Sequence, residues 1–283
     1  LRIFWILVVC GCIVGFLQQL QVLIMKYLSY NVNSETKLEF AERKFPAVTI
    51  CHMNPWKRDS LHDTRYITEM AVKLTSLANK HLFSLMTTPG AESPAYSFSD
   101  LLISCSYSAK ACEDSYWKSV EDPDFGLCQV FNFDEQLKSS RAGPLYGLRA
   151  FIRTNQDNFL PWTEAAGVVV SIHNKTDASF PDLLGYYAGP GLATSMGVRY
   201  TQQTRKEAPY GDCTTATTAD QVHYKGKYEA ESCFRSCLQV EIIKKCNCYD
   251  PTYDFIGSGT PSCFVEGDTD ADYTQTAVNS KYI

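Results

Sequence analysis

Thiols are the most plentiful reactive groups in this chain: it has twelve cysteines, ten of them from Cys51 to Cys263. Thiols either ligate metal or oxidise to disulfides. Zinc sites collect cysteines and histidines into short paired clusters, and Cys246-x-Cys248 with five histidines invites that reading. The cysteines are scattered without a single CxxC pair, however, which favours disulfides in an oxidising compartment over a metal centre. Spacing constrains the pairing. On a helix, Cys233 and Cys237 share one face with Cβ atoms about 5–6 Å apart, whereas a disulfide needs about 3.5–4.5 Å. They should not bond each other and should act as rungs to a second helix. Cys246 and Cys248, two residues apart, are equally poor mutual partners.

Other chemistry is sparse. Asp268-x-Asp270-x-Asp272 opens like a calcium loop, but Tyr273 stands where the sixth-position glycine belongs and Asn279 where the twelfth-position glutamate belongs. The run reads as a solvated acidic face. There is no HExxH, GxSxG or Walker A motif, and Gly189-Pro-Gly191 lacks the third glycine of a dinucleotide loop. No enzyme, cofactor or metal is therefore expected. Asn174-Lys-Thr176 is a glycosylation sequon. A balance of 26 basic against 31 acidic residues, net -5, excludes a phosphate-backbone binder and so nucleic acid as a partner.

The elements that must position these groups begin with a membrane segment. Ile3 to Met25 is 23 residues without a charge, bounded by Arg2 and Lys26. As a helix it is about 35 Å long, enough to cross a hydrocarbon core of about 30 Å. A signal peptide has an apolar region of only about 7–15 residues and a small-residue cleavage site, which do not fit. Gln18, Gln19 and Gln21 are expected to face another helix or water, and Gly11 and Gly15 have small-xxx-small spacing. The start at Leu1 is expected of a fragment, and no second long apolar run occurs before Ile283. Because ten cysteines follow the span, residues 29–283 are expected outside the cell. That ectodomain carries 24 basic and 31 acidic groups.

Beyond the span, residues 45–51 (FPAVTIC) form a β-prone run. From Asn54 to about Leu85 the text is helix-like, with Ile67, Met70, Ala71 and Leu74 at i, i+3, i+4 and i+7, ending at Pro89-Gly90. Alternation then predicts strands from Cys128, Leu148, Val168 and Val198, separated by Gly-Pro clusters. Tyr228 to Cys248 reads as a helix capped by Ser232, with Lys244 and Lys245 complementing the dipole at its end. Composition alone would also suit a single-pass, disulfide-rich receptor or adhesion ectodomain that conducts nothing.

Several motifs together resemble the degenerin and epithelial sodium channel (DEG/ENaC) family, closest to nematode-type degenerins. They are Phe45-Pro-Ala-Val-Thr-Ile-Cys51, Arg141-Ala-Gly-Pro-Leu-Tyr-Gly-Leu148, Thr163-Glu-Ala-Ala-Gly-Val168 leading to Ile172-His173, Ala208-Pro-Tyr-Gly-Asp-Cys213, and Tyr228…Cys233…Cys237…Cys246-x-Cys248. The last is the most specific. The resemblance covers nearly the whole chain and is weakest at about 57–104 and 264–283.

The resemblance implies an α+β membrane protein of acid-sensing-ion-channel type. An N-terminal transmembrane helix precedes a disulfide-rich extracellular domain with a palm sheet, a β-ball, and a helical finger and thumb. Residues 1–28 would be the first transmembrane helix, 29–50 the wrist and first palm strand, 51–127 the finger, 128–212 the palm, knuckle and β-ball (the ball about 148–176), and 213–283 an incomplete thumb. It implies the disulfides Cys51–Cys128, Cys105–Cys112 and Cys248–Cys263, with Cys213, Cys233, Cys237 and Cys246 bonded to partners beyond Ile283. Tyr210 matches an aromatic at the thumb base, to be received by Tyr27 and Tyr30 as a gating contact. The implied protein is a subunit of a homo- or heterotrimeric, amiloride-sensitive channel in the plasma membrane, multi-pass in full and passing Na+ across the lipid bilayer. Acid-sensing relatives carry two adjacent carboxylates where this chain has Asp157 and Asn158. A proton switch of paired carboxyls needs both, so mechanical or ligand gating is expected instead.

Overall fold

The computed structural model describes residues 1–30, 42–61, 67–68, 71, 78–80, 82–83, 86, 93–134, 136–201, 207–211, 223–224, 226, 228–257, 259–261 and 263. The chain divides into two compact units, residues 1–40 with 197–216, and 41–196 with 217–283.

The first unit is dominated by helix α1, Arg2–Leu28, none of whose side chains is buried. Leu, Ile, Val and Phe all round a helix are unfavourable in water, and α1 is long and apolar enough to cross a membrane. Gly11 and Gly15 sit in the open, with nothing within 4 Å of where a Cβ would be. Val198 to Tyr200, expected as a strand, is irregular and exposed. Alternation over three residues is shorter than an ordinary strand and does not by itself specify one.

The second unit is built on an antiparallel five-stranded sheet in the order β10-β9-β2-β6-β5. Its strands are β2 (Ala47–His52), β5 (Trp117–Asp122), β6 (Gly126–Phe131), β9 (Val168–His173) and β10 (Tyr186–Ala188). All six residues of β2 are buried, the polar Thr49 and His52 included. Val48 and Ile50 pack on one face with Leu101, Phe131 and Val168. Cys51 packs on the other with Cys128 and Val169. Strand β9, inside the stretch expected of the β-ball, runs beside β2 in this sheet.

A three-stranded sheet joins β3 (Leu102–Tyr107), β4 (Lys110–Ala111) and β8 (Leu148–Ile152), and short β1 (Arg43–Lys44) pairs with β7 (Lys138–Ser139). The β3–β4 hairpin turns through Ser108 and Ala109, at φ 51° and 63°. Left-handed backbone at two residues is what a two-residue hairpin demands, although neither is a glycine. Helical residues between Ile67 and Met86 bury Ile67, Ala71, Ala78 and Leu82 against Trp56 and Leu160; Met70, Leu74, Pro89 and Gly90 lie outside the described residues. Short helices α2 (Phe98–Leu101) and α3 (Pro181–Leu184) precede β3 and β10, and α4 spans Ala230–Cys246.

Candidate functional site

In the first unit, α1 ends with Ser29 donating its hydroxyl to the Lys26 carbonyl and Tyr30 at φ 46°. A left-handed residue ends a helix by turning the chain off its axis. The Tyr30 ring then meets Tyr210 edge-on, with centroids 5.6 Å apart at 82°, and Tyr27 lies 6.5 Å from Tyr30. Tyr27, Tyr30 and Tyr210 therefore form one aromatic chain. Edge-to-face pairs at this range contribute about 0.5–1.5 kcal/mol beyond burial.

In the second unit, disulfides join Cys51 to Cys128, Cys105 to Cys112 and Cys248 to Cys263. Sheet register explains the first: Ile50 faces Gln129 across β2 and β6, so the next pair along is Cys51 and Cys128, with Cα atoms 4.4 Å apart. Cys105–Cys112 ties the β3–β4 hairpin across its left-handed turn. Cys233, Cys237 and Cys246 on α4 are free thiols, and Cys213 lies outside the described residues. Ser232 is not the cap of this helix. Glu229 holds the extended cap position and Ser232 is buried inside the first turn. At the other end Asn247, at φ 57°, reverses the chain and sends Cys248 toward Cys263.

Helix α4 is fastened by Arg235. Its guanidinium donates to Glu231 one turn away (2.6 Å) and to Asp182 on α3 (2.5 Å), and lies 4.7 Å over the Phe180 ring. Burial opposes the charge on Arg235, but the hydrogen bonds to Glu231 and Asp182 outweigh it and raise its pKa. Lys80 pairs with Asp250 at 3.1 Å. Fully buried Gln239 on α4 takes the Asp250 N–H and donates to the Asp250 carbonyl. Sequence reasoning missed this junction. Only the Glu231 to Arg235 spacing of four residues signals it.

A polar hub follows β2. His52 accepts the Asn54 N–H at Nδ1, donates from Nε2 to the Thr154 carbonyl (2.9 Å each), and stacks on Tyr96 at 4.4 Å. Burial lowers its pKa despite these bonds. Asn54 accepts from Thr163 and donates to the Trp56 carbonyl and the Tyr96 hydroxyl, so one buried amide gathers three segments. Asn158 accepts the Asp59 N–H at 3.0 Å, a structural use of the side chain. Asn174 is exposed, its amide donating to Thr176 Oγ1 at 2.7 Å.

A helix of lipid-spanning length in the same chain as a disulfide-tied antiparallel ectodomain is the plan of a membrane receptor or channel subunit. Residues 1–281 match the family model for the amiloride-sensitive sodium channel; the chain belongs to that family and is not an enzyme. Among curated proteins it is 44% identical over 166 residues to degenerin mec-10 of Caenorhabditis briggsae, covering 57% of this chain and 23% of that protein. It is 44% identical over 163 residues to degenerin del-1 of Caenorhabditis elegans, covering 56% and 24%. The degenerin-like protein asic-2 of Caenorhabditis elegans is 28% identical over 302 aligned positions, 93% of this chain and 55% of that protein. The chain spans about a quarter of the length of the first two relatives.

Proposed function

We propose that this chain is part of a subunit of a trimeric, amiloride-sensitive channel that conducts Na+ passively across the plasma membrane. Gating is mechanical or by an extracellular ligand. The observation that carries this reading is the family match over residues 1–281, together with an α1 long and apolar enough to cross a membrane. Residues 1–28 form the first transmembrane helix and 29–283 lie outside the cell. There 29–50 serve as wrist and first palm strand, 51–127 as finger, 128–212 as palm, knuckle and β-ball, and 213–283 as thumb.

The Tyr30–Tyr210 contact would pass ectodomain motion to the top of α1, since both rings belong to one unit. Cys213, Cys233, Cys237 and Cys246 pair with cysteines of the full-length subunit, and Asn174 carries a glycan. Asn158 in place of a second carboxylate argues against acid as the stimulus.

The test is voltage clamp of the full-length protein in a heterologous cell. An inward current abolished by replacing sodium and by amiloride is expected. A surface-expressed protein that passes no sodium current, alone or with related subunits, under mechanical stimulation would overturn the proposal.

A further inference from the structure

Cys105 and Cys112 face each other directly across the β3–β4 hairpin. Ser106 pairs with Ala111 and Tyr107 with Lys110, so the disulfide is the next rung of the ladder. Its Cα atoms are 5.5 Å apart, and the Cys112 N–H donates to the Cys105 carbonyl at 3.1 Å. Strand β4 is an outer strand of its sheet, in the order β4-β3-β8. Both cysteines are half-buried, while residues 108–111 and 113–115 around them are exposed. The bridge Cys51–Cys128 is the opposite case, 0% and 1% exposed inside the five-stranded sheet. Thiol–disulfide exchange needs a thiolate to reach a sulfur. An external thiol therefore meets Cys105–Cys112 in the folded protein, and Cys51–Cys128 only after the sheet has opened.

Strand β3 does not depend on this bridge for its place. On its other side it pairs with β8 through Cys105 and Ala150, Ser106 and Arg149, and Tyr107 and Leu148. Buried Tyr107 also donates its hydroxyl to the Lys138 carbonyl and meets the Phe45 ring at 5.0 Å. The chain that follows β3 is held differently. From 110 to 115 only Cys112 is shielded from solvent. The next anchor is Tyr116, whose carbonyl accepts the Asn132 N–H at 2.7 Å and whose ring lies 6.1 Å from Phe131. The disulfide is thus what lays this segment on the cluster of Val48, Ile50, Tyr107 and Phe131, against which both cysteines pack.

Opening the bridge also leaves the fold standing. The loop-closure contribution scales as the 1.5 power of loop length, so losing a 7-residue loop weakens folding about 35-fold less than losing the 77-residue loop of Cys51–Cys128.

We propose that Cys105–Cys112 is a redox switch, opened in the folded protein by an external dithiol and closed again by oxidation, and that its opening frees residues 110–115 from the Tyr107 and Phe131 cluster. One thiolate of the dithiol attacks a bridge sulfur. The protein S–S bond breaks, a mixed disulfide forms, and the other cysteine leaves as a thiolate that takes a proton. The second thiolate of the dithiol then attacks its partner sulfur in the mixed disulfide, closing the reagent's own disulfide and releasing the second cysteine, which is protonated in turn. Two electrons and two protons pass from dithiol to protein. The switch lies within the second unit and does not depend on conduction.

The test is timed reduction of the purified full-length protein with dithiothreitol at about pH 8, where thiolate is abundant. Alkylation and peptide mass spectrometry report each bridge, and hydrogen exchange in the same buffer reports the backbone. Cys105–Cys112 should open at least about a hundredfold faster than Cys51–Cys128. Once it is open, exchange across 110–115 should rise by about tenfold or more while β2, β6 and β8 keep their protection. Oxidised glutathione should restore the slow exchange. The double variant Cys105→Ala with Cys112→Ala should exchange fast without reductant; the wild-type measurement does not depend on that variant folding. A bridge that stays closed up to about 10 mM dithiothreitol, or both bridges opening at one rate, would overturn the proposal. So would unchanged exchange across 110–115 after opening, or loss of protection in β2 and β6 along with it.

Discussion

Arg235 ties α4 to α3 and to the Phe180 ring, and its removal should be felt globally. It donates to Asp182 and to Glu231 and lies over Phe180. Charge-assisted hydrogen bonds contribute about 1.5–3 kcal/mol each, and a cation–π contact about 0.5–2 kcal/mol. The Arg235 side chain is 14% exposed and Asp182 32%, so the freed carboxylate can regain water and the low end of each range applies. Arg235→Ala should therefore lose about 3.5 kcal/mol, and Asp182→Ala, which leaves the Glu231 bond intact, about 1.5 kcal/mol. For a unit of this size each kcal/mol moves Tm by about 2–4 °C, giving a fall of about 7–14 °C for Arg235→Ala. Thermal unfolding of the full-length chain and both single variants, with the double variant closing the cycle, measures the pair directly. The cycle should return a coupling of about 1 kcal/mol or more. A shift under about 2 °C for Arg235→Ala, or strict additivity, would refute the view that Arg235 fastens the helix.

Tyr210→Ala should change the gating of the full-length channel under voltage clamp while Tyr210→Phe, which keeps the ring edge on Tyr30, should not; unchanged gating in both would remove the coupling role. Chain-entropy arguments rank the disulfides by loop length: spans of 77, 15 and 7 residues correspond to about 4.5, 3 and 2.4 kcal/mol. Serine replacement of Cys51 and Cys128 should lower Tm most, and replacement of Cys105 and Cys112 least. His52 should make the second unit acid-sensitive. Its folded pKa lies below the unfolded 6.5, so its contribution is complete above that pH and is lost as pH falls and the unfolded chain takes the proton. His52→Gln should be less stable than wild type at about pH 8, with the gap in Tm narrowing toward about pH 5.

The reach of sequence reasoning differs element by element. The uncharged run from Ile3 to Met25 is sufficient for α1, because helix length against bilayer thickness needs no tertiary information. FPAVTIC likewise spells a strand, and the Glu229 to Cys246 stretch a helix, through local propensity and apolar content. Ser232 shows where local rules stop. It is a good capping residue, yet the helix begins two residues earlier, and boundaries depend on how the first turn packs. Val198-Arg-Tyr shows the same limit, since three alternating residues are too few to specify a strand.

Composition and the apolar span by themselves pointed to a disulfide-bearing chain with a membrane-length helix, and the motifs' resemblance to the sodium-channel family supplied the α+β plan. Each of those signals is local or countable along the chain. Tertiary structure alone decided that β9 lies against β2, that Arg235 reaches Asp182 across 53 residues, and that Tyr30 turns onto Tyr210. It also set Asp122 and Asp254, well apart in sequence, on the wall of one cavity. Such contacts join residues whose separation in sequence carries no periodic trace, and only the closed fold brings their charges and rings within range.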